Sequence, residues 1–141
     1  MKKVFTSILL GLLFILTFTL FACSDKGETY YPTNEEMKTN LEKNGYVVTL
    51  EQDISDSDGN RHYGTLLSAN KDSADEYLYF YRFDNATSCE YYYNYLEQNC
   101  KKYNSLVKIE NDEKFGNLVY CGTAQAIKDA GVTVVDVYVK V

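Results

Sequence analysis

Residues 77–83 read Tyr-Leu-Tyr-Phe-Tyr-Arg-Phe. Aromatic side chains favour the pleated, half-buried surface of a sheet, and this run contains no turn former, so it predicts a β-strand. Alternation puts Tyr77, Tyr79, Tyr81 and Phe83 on one face and Leu78, Phe80 and Arg82 on the other. We expect Leu78 and Phe80 to meet the helices, which leaves Tyr77, Tyr79 and Tyr81 as a ladder on an open sheet face.

Downstream, Asp84 is a suitable N-cap for a helix over about 85–104. Helical spacing places Ala86, Cys89, Tyr93, Leu96, Cys100 and Tyr103 on one stripe, the expected core face. Tyr91 and Tyr95 lie four apart on the outer side. Residues 106–111 and 117–121 read as a hairpin around 112–116. Thr123 caps a short helix ended by Gly131, and 132–141 alternates as a final strand.

Upstream, Thr33-Asn34-Glu35-Glu36 fits a capping box, and Asn44-Gly45 is a stop signal, so a helix is predicted over 34–44. Strands follow at 46–54 and 61–69, joined by the polar cluster 55–60. That cluster is no calcium loop. With Gly59 at its sixth position, the first and twelfth positions would be Ile54 and Thr65, neither a carboxylate. The element order is α-β-β-β-α-β-β-α-β. It predicts an α+β domain, an antiparallel sheet with helices packed on one face. Helix-strand-strand occurs twice, at 34–69 and 85–121, as in a duplicated unit, although the residues of the two copies match poorly.

The chain opens with Met-Lys-Lys, continues with the uncharged stretch 4–22, and reaches Leu20-Phe21-Ala22-Cys23. A positive start, an apolar run and a small residue before Cys resemble the signal peptide and lipobox of bacterial lipoproteins. The resemblance covers 1–23 alone. It implies cleavage between Ala22 and Cys23 and a diacylglycerol on the Cys23 sulfur. Nineteen uncharged residues are also long enough to span a bilayer core, but a Cys followed by polar 24–28 favours the lipoprotein. The implied organisation is a signal peptide at 1–22, a lipidated N-terminus and short tether at 23–32, and one domain at 33–141. The domain would be held at the cell membrane and face away from the cytoplasm, on the outer membrane if the host has two. The Cys23 lipid is the only bound group expected; no cofactor is.

Without residues 1–22 the chain has 119 residues, with 12 basic against 20 acidic side chains, a net charge of −8. Such a domain repels nucleic acid, which is excluded as a partner. With Cys23 lipidated, Cys89, Cys100 and Cys121 remain, an odd set. Cys89 and Cys100 lie roughly 16 Å apart along one helix and cannot pair with each other. Either could pair with Cys121, but their place on the core stripe favours three buried thiols. Among catalytic candidates, His62 is the only histidine and sits beside a turn, and no nucleophile or metal-binding motif accompanies it. We therefore expect no catalytic residue, no metal site and no enzyme. Tyr77, Tyr79, Tyr81, Tyr91 and Tyr95 are the candidate contacts of a small binding or interaction module for a glycan, a peptide or an envelope protein. The alternatives are a hydrolase using carboxylates and an accessory subunit of an envelope complex.

Overall fold

The computed structural model describes residues 29–101 and 104–134. In chain order the elements are α1 (Asn34–Lys43), β1 (Val47–Ser55), β2 (Arg61–Lys71), a single 3₁₀ turn (Asp72–Ala74), β3 (Glu76–Phe83), α2 (Ala86–Asn99), β4 (Ser105–Asp112), β5 (Gly116–Gly122) and α3 (Ala124–Asp129). The five strands form one antiparallel sheet in the order β1-β2-β3-β5-β4. This is the expected α+β class and element order. The signal segment, Cys23 and residues 135–141 of the expected final strand lie outside the described residues. Thr133, at the start of that strand, makes an antiparallel bridge with Tyr30.

The expectation that the helices share one face is corrected. Leu78, Phe80, Leu67, Ala69, Leu118 and Tyr120 pack with Met37 and Leu41 of α1 and with Ala126 and Ile127 of α3. Tyr81, Phe83, Val119 and Cys121 pack instead with Cys89, Tyr92 and Leu96 of α2. The sheet is thus covered on both faces, and the tyrosine face of β3 is not open but lies under the flank of α2. The cause is in the strands themselves. β5 carries the continuous apolar run Leu118-Val119-Tyr120-Cys121, all buried, which is the pattern of a strand covered on both sides.

The helix ends follow local chemistry. Thr33 and Glu36 form the capping box, each side chain bonded to the other's backbone N–H, and Gly45 takes the left-handed conformation (φ 86°) after α1. α2 is capped by Asn85, not Asp84: the Asn85 side chain accepts from the Ser88 N–H at 2.8 Å. Its core face is turned slightly from the expected stripe, with Ser88 and Tyr92 buried beside Cys89 and Leu96. Tyr93 is half-buried, with the Lys108 ammonium over its ring. The packed domain also starts earlier than Thr33. Tyr31 is buried against Phe80, Phe115 and Tyr120. Half-buried Arg82 donates to the Pro32 carbonyl and, at 3.1 Å, to the Asn34 side chain.

α2 stops at Asn99, five residues short of the predicted end, because Cys100 leaves the helix with an extended backbone and is disulfide-bonded to Cys121 of β5. Their Cα atoms are 6.4 Å apart, within the normal span of a disulfide. The expectation of three buried thiols therefore holds only for Cys89. Its thiol donates to the Leu118 carbonyl at 3.3 Å, and burial pushes its pKa up to about 11.

A second clamp joins the other end of α2 to the β1–β2 turn. His62 Nδ1 is 2.9 Å from Ser88 Oγ, and Nε2 is 3.1 Å from Asp56 Oδ2. The His62 ring stacks on Tyr91 and meets Tyr92 edge-on. His62 sits beside the turn, as expected, at the second position of β2, and is half-buried. Asp56 also accepts from the Asn60 amide and from the backbone N–H groups of Asn60 and Asp58.

Two predictions follow from these clamps. The Cys100–Cys121 bond closes a loop of 21 residues, worth about 3 kcal/mol. Cys100→Ser together with Cys121→Ser should lower the melting temperature by on the order of 10 °C, and a reducing agent should reproduce the loss in wild type alone; circular dichroism melts check both. The Asn60 amide first, and then His62 and the two backbone donors, hold the Asp56 carboxyl at about 2, below its ordinary value. The folded state then binds fewer protons than the unfolded one over the interval between those values. The stability from Asp56 is fully present above pH ~4 and is lost as the pH falls toward 2. In acid titrations followed by circular dichroism, Asp56→Asn should be less stable than wild type at pH 6, with the gap narrowing below pH ~4.

Candidate functional site

The strand register sets out the α2-facing surface of the sheet in rows. Tyr77 lies opposite Asn70, which lies opposite Val47; Tyr79 follows with Ser68 and Thr49; Tyr81 follows with Leu66 and Glu51. α2 packs over β4, β5 and β3. Beside its flank a cavity of about 540 Å³ opens, with Tyr77, Tyr79, Tyr81 and Tyr95 in its wall. The Cys100–Cys121 bridge, Leu96 and the polar residues Asn70, Lys71, Asp72, Asp75, Glu76, Asn99 and Lys101 complete it. A smaller hollow of about 230 Å³ is walled by Tyr81, Tyr91, Tyr92 and Tyr95 with residues 54–57. Tyr81 and Tyr95 belong to both.

The five tyrosines singled out in the sequence thus converge on one flank of α2, although they come from a strand and a helix. Their environments differ. Tyr95 is 50 % exposed, at the outer lip. Tyr77, Tyr79 and Tyr91 are half-buried. Tyr81 is only 5 % exposed, stacked on Tyr92 at 4.7 Å between ring centroids, so it belongs to the floor and not to an exposed ladder. Burial raises its phenol pKa. Burial, with Tyr91, Asp56 and Tyr95 nearby, pushes Tyr92 up to about 12. Both hydroxyls stay protonated at any physiological pH.

The end of the cavity is held rigidly. The Tyr77 hydroxyl is bonded by the Asn104 amide and lies 3.7 and 3.8 Å from the Cys100 and Cys121 sulfurs. The Lys101 ammonium sits over the Tyr77 ring and pairs with Asp75 at 3.1 Å. Glu76 accepts from the Thr123 hydroxyl. Among the described residues, the side chains of Asn70 and Asp72 and the hydroxyls of Tyr79 and Tyr95 make no hydrogen bond to the protein. These are the groups that the described residues leave for a ligand. Sequence reasoning missed Asn70, Asp72 and the disulfide wall. Asn70 joins Tyr77 only through the β2–β3 register, and no sequence signal marks that pairing.

The Ser88-His62-Asp56 chain has the composition of a hydrolytic triad but not its geometry. Serine bonds Nδ1 and aspartate bonds Nε2, the reverse of the order in which a serine hydrolase uses the ring. Ser88 is 5 % exposed and lines neither hollow. The three residues act as a structural clamp. Among the described residues, no group of three His, Cys, Asp or Glu side chains is placed to hold a metal ion, and no helix is long and apolar enough to cross a membrane. No family model, no curated protein and no solved structure matches this chain.

Proposed function

We propose that this chain is a lipid-anchored binding protein of the bacterial cell envelope, facing away from the cytoplasm, with its ligand site in the tyrosine-walled cavity beside α2. The observation that carries the reading is the cavity itself. Partly exposed rings and unengaged polar groups converge in a space of about 540 Å³, within the range of small-ligand sites. The rings offer stiff contact area at low entropic cost. The disulfide supports an extracytoplasmic location, because such bonds persist in oxidising compartments. The lipobox resemblance supports the anchor at Cys23, on the outer membrane where the host has two. We assign no catalytic step: of the carboxylates at the cavity, Asp75 and Glu76 are already held by Lys101 and Thr123.

The anchor and the site are tested separately. Expressed in a bacterial host, Cys23→Ala should lose fatty-acid label and its membrane association; retention of the wild-type lipid mass would remove the lipoprotein reading. For the site, tyrosine iodination of the full chain is mapped by mass spectrometry with and without envelope extract of the host. Extract should protect Tyr79 and Tyr95 but not Tyr63, which is 53 % exposed on the opposite sheet face. Equal labelling of Tyr95 with and without extract would rule out the cavity as the binding site.

A further inference from the structure

We infer that the ligand of the α2 cavity is a neutral saccharide; this rests on the binding reading above and names the chemistry the cavity accepts. Three features of the site converge on that class.

The cavity floor belongs to β2 and β3, and both are interior strands hydrogen-bonded on each edge. It therefore has no free backbone N–H or C=O row with which an extended peptide could pair as an added strand.

Charge argues against an ionic ligand. Lys101 is paired with Asp75. The Lys71 ammonium turns away to the Asn44 carbonyl at 2.8 Å and sits over the Tyr46 ring. Lys71 has no carboxylate partner, but its ammonium is held by that carbonyl and ring, and Lys101 is already paired, so neither cation of the described wall is turned free toward an anionic ligand. Of the three carboxylates of the wall, Asp75 is paired with Lys101 and Glu76 already accepts from the Thr123 hydroxyl, so a cation would find Asp72 as the one carboxylate without a partner among the described residues, too few ligands for a cation site.

A wholly apolar ligand would strip water from Asn70, Asp72 and the hydroxyls of Tyr79 and Tyr95 and return no hydrogen bond, which is costly. A sugar ring meets every requirement. Its C–H face is slightly positive and packs on the electron-rich face of an aromatic ring. Its hydroxyl rim can donate to Asp72 and exchange hydrogen bonds with Asn70 and the two phenols.

The chain has no Trp and 14 Tyr, so its intrinsic emission arises from tyrosine. The full chain, in a detergent without a sugar headgroup, is titrated with chitotetraose, cellotetraose and maltotetraose, and binding is read by tyrosine emission and calorimetry. At least one oligosaccharide should bind, and which of the three binds best identifies the sugar type. Tyr79→Ala and Tyr95→Ala should each weaken that binding about tenfold. Asp72→Asn should weaken it severalfold, and Tyr63→Ala should leave it unchanged. Tyr79→Phe, which keeps the ring, guards against a folding defect and should stay within about threefold of wild type. The inference is overturned if none of the three binds, or if binding ignores both cavity tyrosines. In the first case, protection of Tyr79 and Tyr95 by envelope extract would leave the cavity as a site for another ligand; absence of protection as well would remove both readings.

Discussion

β3 carries aromatic side chains on both of its faces, and neither face can be left to water. Leu78 and Phe80 are fully buried on one side, and Tyr81 and Phe83 nearly so on the other. The demand extends to β5, whose Leu118, Val119, Tyr120 and Cys121 are buried on alternate sides. Every larger feature of the domain answers this requirement. α1 and α3 cover one face, with Tyr31 added from the segment before α1, and α2 covers the other.

The cavity is a geometric consequence of that arrangement. Five strands span roughly 19 Å across the sheet, whereas one helix is about 10–12 Å wide. Among the described residues, two helices serve the first face and α2 alone serves the second. It packs over β4, β5 and β3, so among the described residues no helix covers the rows running from Tyr77 and Tyr79 toward β1. Those rows are polar where they leave the helix: Ser68 and Thr49 bond to each other at 2.7 Å, and Asn70 follows Tyr77. A half-covered face with aromatic residues at the boundary and polar residues beyond it is a cleft by construction.

α2 is the element on which the cleft depends, and it is fastened at both ends by side chains distant in sequence. The His62 clamp with Asp56 and Ser88 holds its first turn, and the Cys100–Cys121 bridge holds its last. Between them, Tyr92 lies among Tyr81, Phe83 and Tyr91. Such fastening keeps the cavity wall pre-formed, which lowers the ordering cost of binding.

The order of residues alone was enough for the class of fold, the element order and the positions of most elements, because hydrophobic period, caps and turn formers act within a few residues of one another. The capping box at Thr33 and Glu36 and the stop at Gly45 are of this kind, and so is the resemblance around Cys23. Alternation in β3 and helical spacing in α2 set the five tyrosines apart from Leu78, Phe80 and Leu96, but could not tell that Tyr81 would be buried under α2. What covers each sheet face, which cysteines pair, where α2 ends and which polar groups stand beside the tyrosines were settled only by the folded chain. Each of these depends on contacts between segments far apart in sequence, Cys100 with Cys121, His62 with Ser88 and Asn70 with Tyr77. Their register is set by how two apolar faces are buried together, and no local pattern encodes it.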